Sequence, residues 1–118
     1  MGITTIQAKV LNPADPSRVA ELEFIVDSGA MYSVVPRSVL QELGIEAHTT
    51  RRFFMVDGTG SGRQMGDAFF EYRGERASAS VIFGEEGDAI LMGATTLEGF
   101  GFLLDPFRRE LRPMLLRM

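Results

Sequence analysis

Glu23-Phe24-Ile25-Val26-Asp27-Ser28-Gly29-Ala30-Met31-Tyr32-Ser33-Val34-Val35-Pro36 decides how the rest of the chain is read. A nearly continuous run of strand-forming apolar residues delivers one carboxylate, Asp27, into a turn of Ser28, Gly29 and Ala30. An acid at the end of a buried strand is costly to desolvate, so it tends to be paired, hydrogen-bonded or put to chemical use. Upstream, Ala20, Leu22, Phe24 and Val26 fall on one face, while Ile25 adds apolar surface to the other, which implies burial on both sides near the acid.

Working outward, Ile3–Leu11 reads as a strand ended by the turn cluster 12–17, and Val19–Val26 resumes extended structure. Tyr32–Val35 is a short strand. Pro36 suits the first position of a helix through Val39, Leu40 and Leu43, with Gly44 as its stop. Arg51–Asp57 and Arg63–Tyr72 form two arms joined by Gly58-Thr59-Gly60-Ser61-Gly62, a tip rich enough in glycine to be a mobile hairpin. A second hairpin turns at Arg73-Gly74-Glu75 and returns through Ala77–Phe83. The loop Gly84–Asp88 gathers three acids without the alternating oxygen-ligand spacing of a calcium loop and reads as a solvated turn. Ala89–Met92 is a short buried strand closed by Gly93. Thr95 or Thr96 is placed to cap a helix through Phe100 that Gly101 ends, and Phe102–Asp105 with Glu110–Leu116 completes a last hairpin. The pattern is mainly β with two short helices, consistent with a small barrel or sandwich.

Bulk properties bound the function. With 118 residues the chain is a single domain, 1–118, and 45% hydrophobic against 24% charged residues is the balance of a folded globule. The absence of cysteine excludes disulfides, thiolate metal sites and a cysteine nucleophile, and the single His48 excludes a multi-histidine metal site within one chain. A formal charge of −4 argues against a nucleic-acid partner, and Arg108, Arg109, Arg112 and Arg117 read as a solvated strand face. Met1-Gly2 fails as a myristoylation signal because Ile6 stands where Ser or Thr is needed. No run has the length of a membrane span and no basic-then-apolar leader opens the chain, so a cytoplasmic setting without membrane contact is expected.

Two segments share a form, an apolar strand ending in a glycine turn and followed by a short helix, at Gly29 and at Gly93. That pairing, with Asp-Ser-Gly-Ala in the first half and Ile-Leu-Met-Gly in the second, resembles the retropepsin-like aspartic proteases over roughly 21–113. The stretches Leu91–Glu98 and Leu104–Pro106 look more like the single-domain microbial branch than the viral enzymes. The resemblance implies an all-β, small closed barrel of the acid-protease type with two short helices and a flap hairpin. It also implies an aspartic endopeptidase without metal or cofactor. Peptide hydrolysis by that route needs two close carboxylates sharing a proton, and one chain offers only Asp27, so a homodimer acting on an extended peptide or protein is implied.

In the family's pattern Ser28 hydrogen-bonds across the dyad, Gly29 permits close approach of two backbones, and the backbone at Gly29 and Ala30 binds an extended substrate strand. Gly58, Thr59 and Gly60 belong to the flap tip, Leu91 lines the cleft, and Gly93 braces the active-site loop from beneath. Viral members carry an Asp two places after the motif glycine and an Arg after the second glycine; here Met31 and Ala94 replace both, so no charge is stranded but the contact differs. Ile3–Val10 and Met114–Leu116 are apolar enough to pair at an interface.

Other readings stand beside these. Asp27 also suits a turn-capping aspartate held by backbone amides, and Gly58–Gly62 a plain loop. Met55, Met65, Phe69, Phe70 and Phe83 read as core or interface packing, and His48 as a surface residue at the helix exit. The whole suits a catalytically inactive dimer serving as a peptide-binding or assembly module. A serine hydrolase is disfavoured because Ser28 lacks a Gly-x-Ser-x-Gly elbow.

Overall fold

The computed structural model describes residues 2–54 and 57–115. The expected roles of Met55, Leu116 and Arg117, and the end of the first flap arm, lie outside the described residues.

Nine strands and two helices follow one another among those residues: β1 (Thr5–Asn12), β2 (Asp15–Val26), β3 (Ser33–Pro36), α1 (Arg37–Glu42), β4 (Thr49–Phe54), β5 (Gly60–Tyr72), β6 (Glu75–Gly84), β7 (Leu91–Met92), α2 (Ala94–Phe100), β8 (Phe102–Asp105) and β9 (Glu110–Pro113). The main sheet runs β1-β2-β7-β3-β6-β5-β4, and β1 also pairs with β5, so the hydrogen bonding closes into a ring with β4 outside it on β5. Closure removes the exposed edges an open sheet of this size would present. The expected all-β barrel with two short helices is what the chain forms.

Period-two alternation explains the core. In β1 the buried Ile6, Ala8 and Val10 alternate with exposed Thr5, Gln7 and Lys9, and they meet Phe24, Val26, Phe70, Val81 and Met92 inside the ring. Phe24 and Phe70 pack edge to face with centroids 6.0 Å apart. Met65, Phe70 and Phe83 are core residues, as expected, whereas Phe69 is half-buried beneath the Arg76 guanidinium, 4.9 Å from its ring centroid. The β5–β6 turn is two residues long, with Arg73 at φ 49° and Gly74 at φ 81°, the paired positive dihedrals of a type I′ hairpin.

Several boundaries differ from expectation. The first hairpin is tighter, β2 starting at Asp15: Asn12 Oδ1 accepts the Ala14 amide across the two-residue turn, and Asp15 Oδ1 accepts the Ser17 amide and hydroxyl at the start of β2. Pro36 is the N-cap of α1, in extended conformation, not its first helical residue. Gly93, not Thr95 or Thr96, caps α2. Gly60–Gly62 are strand residues paired with Phe54, Phe53 and Arg52, so the tip is shorter than the five residues expected. Ile6, Ala8 and Val10 are committed to this chain's own core; among the described residues of the proposed interface stretches, Ile3 and Leu115 are the large hydrophobic side chains left exposed, at 66% and 91%.

Candidate active site

Three short elements build the site. β2 and β7 run parallel, Ile25 beside Leu91 and Val26 beside Met92, while β3 pairs with β7 through Val34 and Leu91. This places the two glycine turns side by side. The Asp27 amide donates to the Met92 carbonyl at 2.9 Å, and the Ala94 and Thr95 amides donate to the carbonyls of Ala30 (2.7 Å) and Met31 (3.0 Å). Residues 27–31 are thus stitched to 92–95 along the backbone.

Asp27 itself is exposed in the single protomer, at the mouth of the barrel. Its Oδ1 accepts the Gly29 amide at 2.9 Å, and its carbonyl accepts the Ala30 amide at 3.1 Å. The carboxylate is therefore aimed by a local turn and leaves Oδ2 without a hydrogen bond among the described residues. Ser28 and Gly29 are exposed beside it, and a methyl built on Gly29 would lie 3.2 Å from Asp27 Oδ1. Ala30 and Leu91 are half-buried, and Met31 is 63% exposed.

The brace beneath is polar and fully buried. Ser33 Oγ accepts the Gly93 amide at 3.0 Å and shares a 2.6 Å hydrogen bond with Thr96 Oγ1; both side chains have zero exposure. Gly93 is required by close approach: a methyl there would stand 2.5 Å from the Tyr32 carbonyl oxygen and 2.9 Å from that of Ala30. Ser33 and Thr96 are 63 positions apart, and no local pattern marks them as partners.

The β4–β5 hairpin approaches the same loop. Phe53 meets Tyr32 edge to face at 6.3 Å, and the Arg51 guanidinium lies 5.8 Å from the Tyr32 ring centroid. At the tip Asp57 Oδ1 accepts both the amide (2.9 Å) and the hydroxyl (2.7 Å) of Thr59, and these contacts, the hydroxyl first, hold its carboxyl below the usual carboxylate range. Gly58 has open space around it, and Gly60 lies under the Phe54 ring, whose nearest carbon is 3.3 Å from where a methyl would stand.

The loop before β7 is more than a solvated turn. Arg63 binds Asp88 through both terminal nitrogens, and Asp88 Oδ2 accepts the Glu85 amide at 2.8 Å, so the Asp88 carboxyl lies below its ordinary value. Arg37 bridges Gln64 and Glu85 from the other side. Among the described residues no cluster of His, Cys, Asp and Glu is arranged to hold a metal. His48 is exposed, with Nε2 3.2 Å from Asp67 Oδ2, and Arg108, Arg109 and Arg112 are exposed on the β8–β9 hairpin.

This ring of strands, with two glycine turns stitched at its mouth, is the retropepsin-like fold. It superposes on the solution structure of the simian foamy virus (mac) protease with a TM-score of 0.56, covering 80% of this chain and 91% of that one at 19% identity. No protein-family profile matches the sequence, and no curated protein is similar to it at the sequence level. Among the described residues no helix is long and apolar enough to cross a membrane.

Proposed function

We propose that the chain is an aspartic-type endopeptidase acting as a homodimer, in which one Asp27 from each subunit meets across a two-fold axis. The pair shares one proton, and the ionised member takes a proton from water as that water attacks the peptide carbonyl. The protonated member supports the developing oxyanion, and a proton then passes to the leaving amine. The observation that carries this is the exposed, turn-aimed Asp27 carboxylate with its free Oδ2, at the end of β2 in a retropepsin-like barrel.

Ser28 would hydrogen-bond across the dyad and Gly29 would allow the two loops to approach. The β4–β5 hairpin would act as a flap over an extended substrate, with Gly58, Thr59 and Gly60 at its tip and Tyr32 bearing on Phe53. The Ala30 amide and carbonyl are already engaged within the chain, so substrate would meet that residue through its methyl or the second carbonyl lone pair. Leu91 would line the cleft and Gly93 would hold the loop from beneath. Met31 and Ala94, neighbours through the stitched backbone, would make an apolar contact where viral members use an ion pair. We place the chain in the microbial branch and in the cytoplasm on the sequence features given above.

A second reading rests on the Gly29 contact, which is also what a turn-capping aspartate makes. Under it the fold is an inactive dimer that binds peptides. Incubation with a denatured protein mixture across acid to neutral pH, with new termini read by mass spectrometry, separates the two. Cleavage lost in Asp27→Asn supports the protease. Folded dimers of both forms that cleave nothing support the binding module.

A further inference from the structure

Strand alternation gives the β4–β5 hairpin two unlike faces. Arg52 and Phe54 lie on the outer one, the guanidinium 6.0 Å from the Phe54 ring centroid and Phe54 itself 71% exposed. Arg51 and Phe53 lie on the inner one, where both meet Tyr32, five positions after Asp27 on the candidate active-site loop. Across the hairpin Arg51 is the register partner of Arg63, as Phe53 is of Ser61. Phe53, Ser61 and Arg63 look across the cleft at Val34 and Leu91.

Directly opposed residues of an antiparallel pair have Cβ atoms about 5 Å apart, so the two guanidiniums share one face and repel. One carboxylate is supplied against them. Asp88 binds Arg63, which spends three of its five N–H donors on Asp88 and Ser61. Arg51 is exposed and has no ion-pair partner among the described residues, in a chain whose 16 acidic residues outnumber its 12 basic ones. Its contact is the Tyr32 ring, whose centroid lies 5.8 Å from the guanidinium carbon. An aromatic face holds a guanidinium without using the N–H groups that lie in the guanidinium plane, and a planar fork held that way matches a carboxylate in two parallel hydrogen bonds.

We infer that Arg51, oriented by Tyr32, reads the carboxylate of a Glu or Asp side chain in an extended peptide, which rests on the proposal that such peptides bind beneath this hairpin but not on their being cut. The substrate class is then a segment with an acid to one side of the residue lying over Asp27. An incoming carboxylate offsets the Arg51–Arg63 opposition, as Asp88 already does at Arg63. A Lys in that place would add a third cation, and a Gln would gain hydrogen bonds without offsetting charge. The inner face of the hairpin therefore discriminates by charge at this position.

The test uses full-length Asp27→Asn protein, so that peptides survive, with NMR on the Arg51 Nε–H and the Tyr32 ring. The probes are acetylated and amidated octapeptides of Ala, Ser and Leu in which one Gln, or one Glu in its place, is moved through every position. At one position or two neighbouring ones the Glu peptide should bind about fivefold tighter than its Gln twin and shift both signals saturably. Adding Arg51→Gln should bring that ratio close to one, and Arg51→Lys, which keeps the charge without the fork, should hold part of it. Adding Arg52→Gln removes the same charge from the outer face and should leave the ratio within about twofold. The Gln peptides with a free C-terminal carboxylate should bind no better than their amides. Each variant is first checked for an unchanged amide spectrum away from the hairpin, and Arg51→Met stands in if the Gln variant is perturbed.

Glu and Gln peptides that bind alike at every position, peptides of which neither series binds, or a preference that survives Arg51→Gln overturn the inference. A gain given only by the free chain end overturns the assignment to a side chain. Cleavage of denatured protein by the unmodified chain is scored separately. A Glu preference at Arg51 without cleavage leaves the carboxylate reader standing and removes the protease; cleavage with no such preference does the reverse.

Discussion

Replacing Ser33 by Ala removes one oxygen that no solvent reaches, and the loss falls on two groups at once. The Gly93 amide loses its acceptor at 3.0 Å, and the Thr96 hydroxyl loses its partner at 2.6 Å. A buried group left unsatisfied costs about 1–3 kcal/mol, so Ser33→Ala should destabilise the protein by about 2–4 kcal/mol. Thr96→Val keeps the shape and strands only the Ser33 hydroxyl, at a cost of about 1–2 kcal/mol. Once Ser33 is Ala, removing the Thr96 hydroxyl removes an orphan, so the double variant should fall short of the sum by about 1–2 kcal/mol. Guanidinium unfolding of the four proteins measures this, at one fixed protein concentration because the stability of the proposed dimer would depend on it. A Ser33→Ala loss under about 0.5 kcal/mol, or strict additivity, would refute the buried brace.

The same loop offers a steric test: Gly93→Ala places a methyl 2.5 Å from the Tyr32 carbonyl oxygen, with backbone on both sides, and should cost about 1–3 kcal/mol or more in the same unfolding assay. Tyr32→Ala removes the edge contact to Phe53 and the Arg51 stack; it should lower stability by only about 0.5–1.5 kcal/mol while raising KM more than it lowers kcat, read from peptide kinetics. Asp88, held below the usual carboxylate range mainly by the Arg63 hydrogen bond, is a group whose folded pKa is depressed. Its stabilisation is present above the unfolded pKa and lost as pH falls through the folded one. The deficit of Asp88→Asn, roughly 1 kcal/mol or less for so accessible a pair, should therefore be seen in urea midpoints near neutrality and should narrow as pH falls below the usual carboxylate range.

Which features were legible in the sequence follows from their range along the chain. The alternation in β1, the Arg73-Gly74 turn and the Asp27–Ala30 turn are local, and local periodicity and turn chemistry reveal them. Ser33–Thr96 and Arg63–Asp88 are joined only by the fold, across 63 and 25 positions, and side chains such as these look like surface residues until their partners are known. Thr95 and Thr96 looked like caps because they are good caps, but the backbone stitching from Ala30 and Met31 starts the helix at Ala94, and Ser33 claims the Thr96 hydroxyl. Gly60 and Gly62 looked like a loop because glycine weakens strands; cross-strand Phe54 covers Gly60, and pairing with β4 carries both into the sheet.

The central claim is that catalysis takes one Asp27 from each of two chains, and subunit mixing tests it most directly. Wild-type protein and Asp27→Asn are mixed in equal amounts, allowed to exchange, and assayed on a denatured protein substrate at constant total chain concentration. If two Asp27 carboxylates must meet, only the dimers with two wild-type chains cleave, and activity falls to about one quarter of that of wild type alone. Activity that stays at about one half would mean that each chain works by itself, and the shared dyad would be wrong.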